Sequence, residues 1–238
     1  MKMKKIYFHA DDYGRSIEIS KNIFKCLIKG HLNSVSIMVS YLPATYHYKL
    51  KKLKKINKRL HLNLTELPTR DQSNFIYNLS FLRLIFLGNR EKKIIYKEIE
   101  KQIKKYINLY NPKIIKLDGH EHVHMIPWIF KYILKIKTKY NIQEIRIPNE
   151  IIYFPRIKDL LSPRYFRNLA ACLIIKLFNF FLNTSKYRKS YFFGIIYSGL
   201  QTENTIRNSV NNLINKDDKN IEILIHPGFT GFKEKKNV

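Results

Sequence analysis

The chain has 238 residues, 44 Lys and Arg against 18 Asp and Glu, and a formal net charge of +26. With 45% hydrophobic and 13% aromatic residues it can fill a core, which excludes a disordered chain, and 8 Gly and 8 Pro exclude a collagen-like or low-complexity one. Cys26 and Cys172 are too few for a disulfide framework and neither sits in a CxxC pair, so a reducing compartment and a cytoplasmic location are expected.

The N-terminus is basic but reaches Asp11 and Asp12 after only a few apolar residues, which is not a signal-peptide pattern. Lys5 to His9 is the first strand-like run. Ser16 is placed to cap a helix whose inner face carries Ile19, Ile23 and Leu27 and which Gly30 stops. Ser34 to Val39 reads as a strand, Lys49 to Lys58 as a basic helical stretch, and Leu60, Leu62 and Leu64 alternate with His61 and Asn63 as in a strand. A helix is predicted over Lys93 to Tyr110, where Ile95, Ile99, Ile103, Tyr106, Ile107 and Tyr110 form a stripe. After Asn111-Pro112 comes a strand, Lys113 to Leu117, and Pro127 opens a helix with Ile129, Tyr132, Ile133 and Ile136 inward. The longest apolar stretch, Leu169 to Leu182, is broken by Lys176 and Asn179 and is shorter than the roughly 20 residues a membrane span needs. Ile145 to Ile147 and Glu222 to Ile225 complete the strands.

No Ser/Gly/Pro-rich linker divides the chain, so one domain over residues 1–238 is expected. Strand-helix alternation argues an α/β fold with a parallel sheet. Polar clusters sit at the predicted strand ends: Asp11-Asp12, His61-Asn63, Asp118-Gly119-His120, Pro148-Asn149-Glu150 and His226-Pro227-Gly228. A distorted β/α (TIM-like) barrel gathers strand C-termini on one face, and an open doubly wound sheet is the alternative. There is no G-x-G-x-x-G or Walker-type loop, which counts against a nucleotide cofactor.

Six of the eight histidines, His9, His61, His120, His122, His124 and His226, fall in these clusters. Histidine with carboxylate is the usual ligand set for a divalent metal, and Asp12, His61 and His120 could supply three ligands from three strand ends. Any one of these histidines alone would more readily be a hydrogen-bonded structural residue. Their joint occurrence with Asp11-Asp12 favours a site, with the roles of His122 and His124 open. His120-Glu121-His122-Val123-His124 also satisfies H-E-x-x-H, but that signature needs one helix face and here follows a strand and Gly119. Asp11 and Asp12, leaving a strand as neighbours, could divide their roles, one binding metal and one acting as base; the bland reading is a turn or helix cap.

Together His9 to Gly14, Asn33 to Val39, His61 to Glu66, Asp118 to Pro127 and Glu222 to Gly228 resemble, in order, the motifs of the YdjC-like (ChbG/HpnK) carbohydrate deacetylases, spanning residues 6–230. The resemblance implies a distorted barrel and a metal-dependent hydrolase of non-peptide C–N amide bonds that removes the acetyl group from an N-acetylated sugar. It implies Asp12, His61 and His120 as metal ligands, Asp11 as general base and His226 as general acid. His122, His124, Asn63, Glu66, Arg146 and Glu150 are expected to bind substrate or support the site. The divalent cation is Mg2+ by resemblance, with Zn2+ chemically suited to two imidazoles. Leu67 follows Glu66 where the family often has Gly, so that loop is expected to differ. Val238 comes soon after the final motif, where similar proteins often carry a further helical segment, so a truncated product or reduced activity is an expectation.

The charge excess is 33 Lys to 11 Arg, whereas phosphate-reading surfaces lean on Arg. A solvated Lys-rich surface is the first reading, an anionic substrate or membrane the second, nucleic acid the third. Leu160 to Thr202 contains no Asp or Glu, and a cationic amphipathic stretch of this kind can lie in an anionic membrane interface. The expected partners are an acetylated oligosaccharide or lipid-linked amino sugar and a peripheral membrane contact; no nucleic acid is expected, and a homodimer is compatible with the sequence. The alternatives are a sugar-binding relative with little or no catalysis and a basic nucleic-acid-binding protein.

Overall fold

The computed structural model describes residues 5–66, 79–152, 162–214 and 219–227. Seven strands, β1 (Ile6–Tyr13), β2 (Ser34–Ile37), β3 (Asn57–Leu62), β4 (Ile115–Gly119), β5 (Ile142–Ile145), β6 (Ser190–Phe193) and β7 (Asn220–Ile225), pair in parallel in the order β5-β4-β3-β2-β1-β7-β6. An isolated parallel bridge joins Glu150, just past β5, to Phe192 of β6, so the two ends of that order meet and the sheet curls into a distorted β/α half-barrel. Around it lie α1 (Ile17–Ile28), α2 (Ala44–Lys52), α3 (Phe81–Ile85), α4 (Asn89–Tyr110), α5 (Pro127–Ile136), α6 (Pro163–Phe181) and α7 (Glu203–Ile214).

The strands alternate in a way that separates two interiors. Ala10, Val35, Ile37, Leu60, Leu62, Leu117 and Ile223 join the hydrophobic core. Between them His9, Ser34, Ser36, Arg59, His61, Asp118 and Glu222 are buried and polar. Successive side chains of a strand point to opposite faces, so one face is apolar and the other is a ladder of charged and hydroxyl groups inside the curl. Such groups persist without water only if they bond to one another, and the pairs described below do so.

The helices with strong local signals form as expected. Ser16 Oγ accepts from Ile19 N (3.2 Å) at the start of α1, and Ile23 and Leu27 are buried along it. In α4 the stripe Ile95, Ile99, Ile103, Tyr106 and Tyr110 is buried, and Asn111 at φ 44° ends the helix. Pro127 opens α5. Three boundaries differ. The helix expected from Lys49 to Lys58 runs instead over Ala44–Lys52, because the chain buries His47 and Leu50, and Asn57 already pairs in β3. The strand expected at Ile145 to Ile147 begins at Ile142. The first strand, expected over Lys5 to His9, runs on to Tyr13 and carries Asp11 and Asp12 within it. Leu67, residues 160–161 of the acid-free stretch, and Gly228 lie outside the described residues.

Candidate metal centre

His9 and Asp11 are two residues apart in β1 and share the inward face, with His9 Nε2 3.0 Å from Asp11 Oδ1. A regular strand would send Asp12 the other way. Instead the register against β2 shifts between Ala10 and Tyr13, and Asp12 takes φ 69°, so its carboxylate also meets the inward groups. Gly14 completes the kink at φ 105°; a Cβ there would lie 2.1 Å from the Met38 carbonyl oxygen, so the close approach of β1 to β2 requires glycine.

Three ligand atoms converge on this point. Asp12 Oδ1 lies 3.2 Å from His61 Nε2 and 2.9 Å from His120 Nδ1, and donor atoms of the three buried residues all fall within 4.8 Å of one another. His61 reaches in from β3, and its Nδ1 lies 2.7 Å from Asp118 Oδ1, which fixes the proton on Nδ1 and leaves the buried Nε2 without a well-directed hydrogen bond among the described residues. His120 begins the 3-10 turn after β4 and turns Nε2 toward Glu66 Oε1, 3.7 Å away. Glu66 is clamped by Arg15, whose Nε and Nη2 each donate at 2.8 Å. Each imidazole thus has an outer carboxylate that orients it, the arrangement a metal-binding histidine needs. An orphaned imidazole nitrogen aimed at a carboxylate between two held rings fits a divalent cation.

The electrostatics say the same. Burial opposes charge on both histidines, but the carboxylates outweigh it: Asp11 and Asp118 raise His61 to about 9, and Asp12 and Glu66 raise His120 to about 10. Burial would raise Asp12, yet His120 and His61 hold it well below the usual carboxylate range. Asp12 therefore demands positive charge beside it, which a cation could supply with both rings neutral.

Behind this trio lies a layer of ion pairs. Arg146, just past β5, donates from Nη1 to Asp11 Oδ1 (3.0 Å) and Oδ2 (2.9 Å), and its Nη2 lies 3.0 Å from Asp118 Oδ2 and 2.6 Å from Glu222 Oε1. Ser36 Oγ donates to Asp118 Oδ2 at 2.5 Å. Burial pushes the Asp11 carboxyl up, but Arg146 first, and then His61 and His9, hold it well below the ordinary range, so Asp11 is ionised. Below it, Arg59 pairs with Glu222 and Glu144.

The family described as YdjC-like protein matches residues 5–237. The chain belongs to the YdjC-like family. Among proteins similar to this YdjC-like chain is a carbohydrate deacetylase of Mus musculus, 25% identical over 153 residues, which cover 59% of this chain and 49% of that protein. A carbohydrate deacetylase of Vibrio cholerae is 27% identical over 149 residues, 58% of this chain and 57% of that protein. The chain spans about half the length of the curated relatives it matches. In fold it resembles a crystal structure from Enterococcus faecalis, provisionally described as a cellobiose-phosphate cleavage protein, with a TM-score of 0.67, 17% identity, and coverage of 96% of this chain and 82% of the other.

The other expected site residues of this YdjC-like chain divide by what they touch. His226 is half-buried just past β7; burial lowers its pKa, and the charges of Asp12 and Asp11 oppose that shift. Asn63 shapes the loop that carries Glu66: its Oδ1 accepts from Glu66 N (2.9 Å), and its Nδ2 donates to Glu66 O and to Tyr41 Oη (3.1 Å). His124 Nε2 donates to the Arg146 carbonyl (2.9 Å), and burial lowers its pKa to about 4, so it fastens the 3-10 turn to the end of β5. His122 sits at φ 58° and packs edge-on against Phe192 and His124. Glu121 and His122 both break helical geometry inside the H-E-x-x-H segment, and His120 and His124 serve different partners, so the single helix face that this zinc metalloprotease signature needs is not present there. Glu150 holds the backbone just past β6: its Oε2 accepts from Ile195 N (2.6 Å) and Ile196 N (3.1 Å). Asp118, Glu222, Ser36 and Arg15 carry much of the site's support and were not among the expected site residues. For Asp118 and Ser36 the signal was available, since both sit in the motif segments with strand alternation that puts them on the His61 side.

Proposed function

We propose that the protein is a hydrolase that removes the acetyl group from an N-acetylated sugar, with a divalent cation held by Asp12, His61 and His120. The observation that carries this reading is the convergence of three buried ligand atoms at strand ends beside a second, ionised aspartate, in a family whose matched relatives are named carbohydrate deacetylases. When bound, the cation would act as a Lewis acid on the acetyl carbonyl and favour deprotonation of water. Two imidazoles suit Zn2+ by softness, whereas the family resemblance favours Mg2+.

Asp11 is the proton acceptor for the attacking water. Arg146 keeps both of its oxygens fixed and charged, which sets its direction at the cost of lower proton affinity. As the carbonyl carbon gains the water oxygen, its bond to the sugar nitrogen breaks, and that nitrogen needs a proton to leave as an amine. His226 supplies it. Burial lowers its pKa and keeps it neutral at rest, so the proton it gives the nitrogen is the one Asp11 draws from the water and passes on, which leaves both groups as they began. Glu66 and Arg15 hold His120, and Asp118 holds His61, so the ligands do not reorient during turnover.

Acetate release from N-acetylated oligosaccharides and glycolipids by wild type, Asp11→Asn and His120→Ala tests the reading. Each variant is expected to lose at least about 100-fold in rate. If both keep full metal-dependent activity, the assignment is wrong. Stoichiometric metal binding without acetate release on a broad panel would instead mark a sugar-binding relative.

A further inference from the structure

Helix α6 is built the wrong way round for a helix that faces water. Its inward side carries buried Asn168 and Asn179 together with Tyr165, Cys172 and Ile175. Asn168 Nδ2 donates to the carbonyls of Ile196 (3.0 Å) and Ser198 (2.9 Å), and Asn179 Nδ2 donates to the Pro148 carbonyl (3.3 Å). Its outward side carries Phe166, Leu173, Leu177 and Phe180, spaced to share one face, and then Phe181. Phe180 is 79% and Phe181 69% exposed. A water-facing helix places these two chemistries the opposite way.

The patch continues onto α3. Phe81 stacks on Phe178 at 6.5 Å, which joins the two helices, and Leu82 and Phe86 project outward, Phe86 at 83% exposure. Two independent contacts place this patch at the same end of the barrel as the metal centre. Asn179 and Lys176 bond Pro148 and Asn149, just past the C-terminal end of β5. Trp128 Nε1, just past the 3-10 turn of His120, donates to the Leu84 carbonyl of α3 (2.9 Å).

Charge decides what such a patch meets. No Asp or Glu occurs from Leu160 to Thr202, while Arg167 on α6, Arg83 on α3 and Lys186 just after α6 are exposed. Two copies of this face would bring cations against cations. An anionic bilayer would complement both the apolar centre and the basic surround. Among the described residues no helix is long and apolar enough to cross a membrane, so the contact is with the surface.

We propose that the outward faces of α6 and α3 form a docking surface for an anionic lipid bilayer, holding the metal centre at the interface. The docking stands apart from the reaction. Its corollary, that the acetylated sugar is carried on a lipid, rests on the deacetylase reading above.

The test is flotation of the full chain with vesicles of phosphatidylcholine alone or with phosphatidylglycerol added, for wild type and the double variant Phe180→Ser, Phe181→Ser. Alongside these, the thermal unfolding midpoint, the oligomeric state and acetate release from a soluble N-acetylated oligosaccharide are measured. Wild type is expected to float with the anionic vesicles and to release as salt is raised, and the double variant to bind on the order of tenfold more weakly or less. The variant should keep its unfolding midpoint and its soluble activity, since both residues are exposed. Three results would overturn the proposal: no flotation of wild type, unchanged flotation of the variant, or a wild-type dimer that the variant abolishes. Absent soluble activity in both proteins, with flotation intact, would instead remove the deacetylase reading and leave the docking surface standing.

Discussion

Arg146 balances Asp11, Asp118 and Glu222 with one guanidinium in a buried place. Replacing it by Met would keep much of its volume and leave three carboxylates short of a counter-charge. Arg146→Met is expected to lower the unfolding free energy by about 3–5 kcal/mol, read by urea denaturation, because the cost is that of uncompensated buried charge. Asp118 would act from behind His61 on a cation held by Asp12, His61 and His120. Asp118→Ala frees the His61 ring and is expected to weaken divalent-metal binding by about 10–100-fold in competition with a chelating dye, while Asp12→Ala removes a ligand and costs more. Asp12, His61 and His120 could be read from the sequence because carboxylates and imidazoles recur at strand ends, where a parallel barrel converges. The role of Glu222 could not, because a charged residue alternating with apolar ones reads as an exposed strand face, and here that face is the interior of the curl.

At the level of elements, β1 shows how much one kink positions. Without the register shift and the positive φ of Asp12, either Asp11 or Asp12 would face the helices. Gly14→Ala drives a Cβ into the Met38 carbonyl and is expected to cost a few kcal/mol and to weaken metal binding together with stability, since the shift that relieves the clash moves Asp12. The junction of β5 and β6 carries a pH dependence of its own. Burial raises the Glu150 carboxyl to about 7 although backbone amides of Ile195 and Ile196 oppose it, and its Oε1 has no hydrogen-bond partner among the described residues. Between its unfolded pKa of 4.5 and about 7 the folded chain binds the extra proton, so this residue's contribution to stability falls as pH rises through that window and is level above it. The gain in unfolding free energy of Glu150→Gln over wild type should grow by up to about 3 kcal/mol from pH 4.5 to pH 7, and a pH-independent difference in urea denaturation would contradict this. Elements with caps and one clear stripe, α1, α4 and α5, were readable from sequence. Helix α6 was legible only as an apolar, cationic amphipathic stretch without bounds, because apolar residues lie on its outer face and asparagines on its inner one, which blurs the period that marks a helix.

On the scale of the whole molecule the +26 charge separates into two regions. Among the described residues, Asp11, Asp12, Asp118, Glu150 and Glu222 are buried acids, against Arg59 and Arg146 as the buried bases. The interior therefore holds an acidic share of the 18 carboxylates, and the exterior is more basic than the sequence total suggests. An acidic interior beside strand-end histidines suits a cation, and a basic exterior with an apolar face suits an anionic surface. The most direct measurement of the central claim is the metal content and acetate release of one preparation, as purified, after exhaustive chelation, and after stepwise return of Zn2+ or Mg2+. Acetate release is expected to vanish on chelation and to return in proportion to metal up to one ion per chain, with His120→Ala recovering neither. Undiminished acetate release after chelation, or metal uptake unchanged in His120→Ala, would contradict it.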